Sequence, residues 1–162
     1  MFTHMAVRLV NNTLNVEFVM NIDSVNGLID ELKLRAKPVD YSVKLPDAEF
    51  DVMSAIWEGN PPVNTAYLMK AIGNDKGWKA PTLISFLVRL EDRGFIASYK
   101  NGKERFYIAI ADRDEYVHTV TENFIAHYHG GSFVAAMNSF FKDRNLGEDD
   151  IDELLEWLKS RY

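Results

Sequence analysis

Hydrophobic and polar positions along this chain fall into three successive blocks, each with its own period. In residues 1–44, Leu14, Val16, Phe18 and Met20 alternate with Asn15, Glu17 and Asn21, broken only at Val19, and predict a half-buried strand. Asn11-Asn12 predicts a turn between that strand and the short apolar run at residues 6–10. Val25, Leu28, Ile29 and Leu32 then recur at i, i+3, i+4 and i+7, a helix that Asp23 or Ser24 can cap and Pro38 stops. This β-β-α segment is too small to fold alone and carries no motif, so its role stays unassigned.

The second block, residues 45–111, changes to helical spacing and back. Asp47 is placed to cap a helix with Phe50, Met53, Ile56 and Trp57 on one face, which the sequence Gly59-Asn60-Pro61-Pro62 interrupts. Asn64 or Thr65 opens a short helix with Leu68, Met69 and Ile72 inward, closed by Gly73. A third helix after Trp78 carries Leu83, Phe86, Leu87 and Leu90 as its buried stripe and ends at Gly94. Two strand-like runs then flank Asn101-Gly102, a strong short-range hairpin signal. Three helices followed by a hairpin describe a winged helix-turn-helix.

The third block, residues 112–162, is helical throughout. Asp112 caps a helix with Val117, Val120, Phe124, Ile125 and Tyr128, Gly130-Gly131 stops it, and Ser132 caps the next. Ile151, Leu154, Leu155 and Leu158 stripe a third helix after Gly147. Phe124, Phe133, Met137, Phe140, Phe141, Leu154, Leu155 and Leu158 are more apolar surface than three short helices can enclose, so they predict a homodimer interface. The fold class expected is therefore mainly α with a small β wing: a winged helix-turn-helix, then a three-helix dimerisation domain, preceded by the β-β-α segment.

Composition narrows the chemistry. With 162 residues, 47% apolar and 26% charged, the chain has the mixture of a globular protein. It has no cysteine, which removes disulfides, thiolate zinc sites and a cysteine nucleophile together. No apolar run approaches the roughly 20 residues of a membrane span. The N-terminus lacks a basic stretch followed by an apolar one, so the expected location is the cytoplasm, with no membrane partner. The formal net charge of −6 comes from the last block, while Lys76, Lys79, Arg89, Arg93, Lys100, Lys103 and Arg105 outnumber Glu91, Asp92 and Glu104 in the middle one. Such a local basic patch can attract a polyanion, or it can be an ordinary solvated mixed-charge surface.

Catalysis finds no support. There is no nucleophile elbow, phosphate-cradling glycine loop or HExxH helix, so an enzyme is not expected. His127 and His129 stand two apart on a helix and point to different sides, and the acidic run from Glu148 to Glu153 lacks alternating ligand spacing and reads as a helix start. No cofactor and no metal is implied. Binding fits better. In a winged helix the third helix enters the major groove and the wing reaches phosphates. Thr82, Ser85 and Arg89 lie off the buried stripe of that helix, Lys79 precedes it, and Lys100, Lys103 and Arg105 surround the hairpin tip. These residues are the expected DNA-binding set, with Thr82 and Ser85 toward base edges or nearby phosphates and the cations toward phosphates. Arg89 has a competing partner in Asp92, three residues along the same helix.

The residues that carry this reading also resemble a family. Leu45-Pro46-Asp47-Ala48-Glu49-Phe50-Asp51-Val52-Met53 with Ile56-Trp57 resembles the opening of the penicillinase repressor family, which includes the methicillin-resistance and copper-transport repressors. Gly77-Trp78-Lys79, Thr82, Leu87, Arg89-Leu90-Glu91 and Arg93-Gly94-Phe95-Ile96 resemble its recognition helix and the strand that follows. Glu122-Asn123-Phe124-Ile125 and Gly130-Gly131-Ser132-Phe133 resemble its first dimerisation helix and the break after it. The resemblance runs from Leu45 to near the C-terminus. It implies a homodimeric transcriptional repressor whose two recognition helices occupy successive major grooves of a pseudo-palindromic double-stranded operator. It also implies release by a regulatory protease that cuts an Asn-Phe bond, here Asn123-Phe124. Two departures stand out: Pro81 and Ile84 occupy positions where the penicillinase repressors carry Lys and a further polar or basic residue, and the cysteine-rich copper motif is absent. The alternative reading is a winged-helix protein-interaction module without sequence-specific DNA binding.

Overall fold

The computed structural model describes residues 7–10, 13–16, 22–59, 61–142 and 147–161. Asn11-Asn12, Phe18 and Met20 lie outside the described residues. Two short strands, β1 (Val7–Val10) and β2 (Thr13–Val16), pair antiparallel and precede helix α1 (Ile22–Arg35). Asp23 and Ser24 fall inside α1 rather than at its cap.

The winged helix follows in the expected order. Helix α2 (Asp47–Glu58) begins one residue before the capping reading allows, with Pro46 at the N-cap. Phe50 N–H donates to the Pro46 carbonyl at 2.9 Å, and Asp47 joins Glu49 in a first turn where the helix dipole favours carboxylates. Strand β3 (Val63–Asn64) leads into α3 (Thr65–Leu68), where the Asn64 side chain accepts from Tyr67 N–H at 2.8 Å. The chain then winds through a wider turn over Met69–Gly73 before α4 (Ala80–Asp92). Strands β4 (Ile96–Asn101) and β5 (Glu104–Ala109) form the wing, with Asn101 opposite Glu104. The loop is thus Gly102-Lys103, and Gly102 supplies the positive φ of 62° that primed hairpin turns require at their first central position.

The wing is not a free hairpin. The sheet order is β1-β2-β4-β5-β3, because β2 pairs parallel to β4 with Leu14 opposite Tyr99 and Val16 opposite Asn101. Alternation along β4 and β5 puts Tyr99 and Ile108 on one face, where Leu28 and Leu32 of α1 cover them, with Phe106 and Ala97 packed alongside. The other face, with Ser98 and Tyr107, turns toward the helices of the winged fold. Residues 36–46 tie the segment down further. Gly94, at φ 80°, lies so close to the Lys37 carbonyl that a Cβ there would sit 2.8 Å from it. The β-β-α segment is therefore part of the winged-helix unit.

By its contacts the chain divides between His118 and Thr119, seven residues beyond the boundary that the sequence pattern suggests. The reason is Tyr116. Helix α5 (Arg113–His129) starts under an Asp112 cap, and its Tyr116 is buried among Phe50, Trp57 and Phe95 with ring centroids 5.6–6.0 Å away. The Tyr116 hydroxyl accepts from Leu45 N–H at 2.9 Å, and Trp57 Nε1 donates to the Ala111 carbonyl at 2.9 Å. The second unit, residues 119–162, contains the rest of α5, then α6 (Phe133–Phe141) capped by Ser132, and α7 (Glu148–Arg161). No helix among the described residues is long and apolar enough to cross a membrane.

Candidate nucleic-acid interface

Helix α4 is the element that a winged helix presents to its target, and its placement follows from its stripe. Leu83, Leu87 and Leu90 are fully buried, while Phe86 is half-buried against Trp78 at a centroid distance of 5.0 Å. Lys79 is the N-cap residue, with extended backbone, and its carbonyl accepts from Thr82 and Leu83 N–H at 2.9 and 3.2 Å. Pro81 sits in the first turn, where its missing N–H costs nothing. Thr82, Ser85 and Arg89 are exposed, as the helical period requires.

Their chemistry differs from the sequence expectation in two places. Arg89 does not pair with Asp92. Its Nε lies 3.2 Å from Glu49 Oε1, and its guanidinium stands over the Phe86 ring at 5.1 Å. Arg93 Nη1 donates to the other Glu49 oxygen at 2.8 Å. Glu49 is 2% exposed, so two arginines of α4 and its C-terminal turn neutralise one buried carboxylate of α2. This clamp fixes the angle of α4 on the scaffold. Ser85 Oγ donates to the Thr82 carbonyl at 2.7 Å, which commits its proton.

The wing shows the second difference. Lys100 and Lys103 are exposed, and neither has an ion-pair partner among the described residues. Arg105 instead lies back along the sheet: its Nη1 donates to Ser98 Oγ at 2.8 Å and is 3.9 Å from Glu91 Oε2. Ser98 Oγ in turn donates to Glu91 Oε1 at 2.7 Å, so Arg105 joins a network linking both wing strands to α4. Burial pushes the neighbouring Tyr107 phenol up from its ordinary range, opposed by a hydrogen bond with Thr65 and by the Arg105 charge. Lys79, Lys100 and Lys103 are thus exposed without an ion-pair partner among the described residues, while Arg89, itself half exposed, is paired with Glu49 and Arg105 with Ser98 and Glu91.

In the second unit, Asn123 and Phe124 are both exposed and lie inside the regular part of α5, which ends at Gly130 and Gly131 with φ 59° and 80°. The Phe124 ring stacks against Phe140 of α6 at 6.4 Å. Among the residues expected at a dimer interface, Phe124, Phe133, Phe140, Leu154, Leu155 and Leu158 are exposed, and Met137 and Phe141 are half-buried. Among the described residues, no group of three or more His, Asp or Glu is placed to hold a metal.

Sequence reasoning missed Glu49 and the role of residues 1–44. A glutamate in the first turn of α2 gives no sign of burial, because its partners are 40 and 44 residues away. The packing of α1 had a signal: both faces of the predicted hairpin carry large apolar residues, so both need cover.

Comparison with known proteins places the chain in a family. The family profile described as Penicillinase repressor matches residues 45–160. The penicillinase repressor of Bacillus licheniformis is 25% identical over 116 residues, covering 72% of this chain and 90% of that protein. The methicillin resistance regulatory protein MecI of Staphylococcus aureus is 25% identical over 118 residues, covering 73% and 95%. The solution structure of the DNA-binding domain of the repressor BlaI is 26% identical, covers 49% of this chain and 94% of its own, and superposes with a TM-score of 0.43.

Proposed function

This chain belongs to the penicillinase repressor family, and from that premise we propose that it is a homodimeric DNA-binding transcriptional repressor acting on a pseudo-palindromic operator. The observation that carries the reading is the set of outward lysines on a winged helix. Lys79 stands at the N-cap of α4, and Lys100 and Lys103 stand at the wing tip, the two places from which this fold reaches a duplex. Thr82 and Ser85 face the bases, and the lysines hold phosphates. Arg89 and Arg105 serve chiefly to fix α4 and the wing in register. Residues 119–162 supply the second-copy contact through Phe124, Phe133, Phe140, Leu154, Leu155 and Leu158, flanked by Met137 and Phe141. A protease that cuts between Asn123 and Phe124 would separate the DNA-binding unit from most of that surface. Each freed half would then bind alone and leave the operator faster.

Titrating duplex DNA at several salt concentrations tests the reading. Three lysines per protomer predict a log–log slope of about −5 for the dimer, at roughly −0.9 per neutralised phosphate. Replacing Lys100 and Lys103 by Ala should flatten that slope by about one unit per lost contact and weaken all sequences alike. A slope unchanged by those substitutions would remove the wing from the interface. No binding at low salt would leave the fold as a protein-interaction module.

A further inference from the structure

The outward face of α4 carries two large aliphatic side chains, Ile84 and Val88, among its polar residues. By the 3.6-residue period, Pro81, Ser85 and Val88 stand opposite the buried leucines, with Ile84 on one flank and Thr82 and Arg89 on the other. Ile84 is 45% exposed and Val88 is 51% exposed. Two polar groups of this face have partners within the fold. Glu49 holds Arg89 at 3.2 Å, and the Ser85 hydroxyl donates to the Thr82 carbonyl at 2.7 Å. The helix carries no Asn or Gln for the bidentate contact that reads adenine, and its one arginine, Arg89, leans on Glu49 and the Phe86 ring. What remains is a pair of branched aliphatic side chains one turn apart, with the Lys79 ammonium at the head of the helix.

An apolar pair beside the outward lysines Lys79, Lys100 and Lys103 matches a polyanion that itself presents apolar points. In the DNA major groove one feature answers that description, the C5-methyl group of thymine. We propose that Ile84 and Val88 are specificity-determining residues of this chain, beside Thr82 and Ser85, and read thymine methyls in each half-site. The inference rests on the DNA-binding reading above and adds to it the chemistry of the target. Every other base edge in the groove is a donor or acceptor that these side chains would leave unpaired.

The test removes only the methyl. The full-length protein selects duplexes from a random-sequence pool, and the selected duplex is resynthesised with deoxyuridine at each thymine in turn. The wild-type chain should bind about fourfold more weakly for each methyl it contacts, the worth of one buried carbon. The Ile84→Ala, Val88→Ala double variant should bind thymine and uracil duplexes equally. Both sites are exposed and alanine favours helix, so the variant keeps its fold. Equal wild-type affinity for the two duplexes, with salt-dependent binding intact, overturns this inference and leaves the DNA reading standing. A uracil penalty that persists in the double variant traces the effect to duplex shape and also overturns it. Failure to retain any duplex at low salt overturns both readings and makes the apolar pair a protein-docking face.

Discussion

The two units of this chain are both rich in large apolar side chains, and they dispose of them in opposite ways. In the first, Leu28, Val52, Met53, Ile56, Leu68, Leu83, Leu87, Leu90, Phe95 and Ile108 are buried to 2% exposure or less. In the second, Ala136 is the buried residue among those described, and α7 buries none of its own. Phe133, Phe140, Leu154, Leu155, Trp157 and Leu158 are each 39–58% exposed there. A layered fold of helices on a sheet closes its own core, whereas the helices of the second unit leave their large apolar side chains exposed. Surface of that kind in a helical unit normally has a partner. A second copy is the proposed cover, and on that proposal the first unit is self-sufficient while the second depends on association.

Removing the dependent half breaks the comparison most strongly. A chain ending at His118 should stay folded, because Tyr116 and its aromatic neighbours remain, and should sediment as a monomer. Its operator affinity should fall by at least about 100-fold, since two linked half-sites gain that much from effective concentration. A truncated chain that stayed dimeric would place the interface in the first unit.

The next effect concerns what completes that unit. Leu28 is fully buried against Tyr99 and Ile108, so Leu28→Ala should lower stability by about 2–4 kcal/mol in chemical denaturation. A change within about 0.5 kcal/mol, the ordinary range for surface positions, would show that α1 does not cover the wing. The smallest effect belongs to the clamp. Glu49→Ala should cost about 1–3 kcal/mol, because it leaves two guanidinium groups without their acceptor while both keep partial access to water. It should also weaken DNA binding more than its stability loss explains, through a looser α4. Full operator affinity in a variant with lowered stability would restrict Glu49 to a folding role.

How much of this was legible in the sequence depends on the range of the interactions. Helix α4 could be read from Leu83, Leu87 and Leu90, and the wing from Asn101-Gly102, because periodicity and turn chemistry act within a few residues. The caps at Asn64, Asp112 and Ser132 were equally local. The parallel pairing of β2 with β4 joins residues 85 positions apart, Leu14 and Tyr99, and no local pattern encodes a register across that distance. The candidate site was legible to the same extent. Exposure of Lys79, Lys100 and Lys103 follows from period and turn, whereas the capture of Arg89 by Glu49 and of Arg105 by Ser98 depends on how separate elements meet. Charge counting treated all five cations as equivalent, and tertiary pairing divided them.

The number of chains that a duplex holds is the most direct test of a dimeric repressor. Sedimentation of the full-length protein with a selected palindromic duplex should give two chains per duplex at low salt, dissociating as salt rises. One chain per duplex, or free protein and free DNA at low salt, would contradict it.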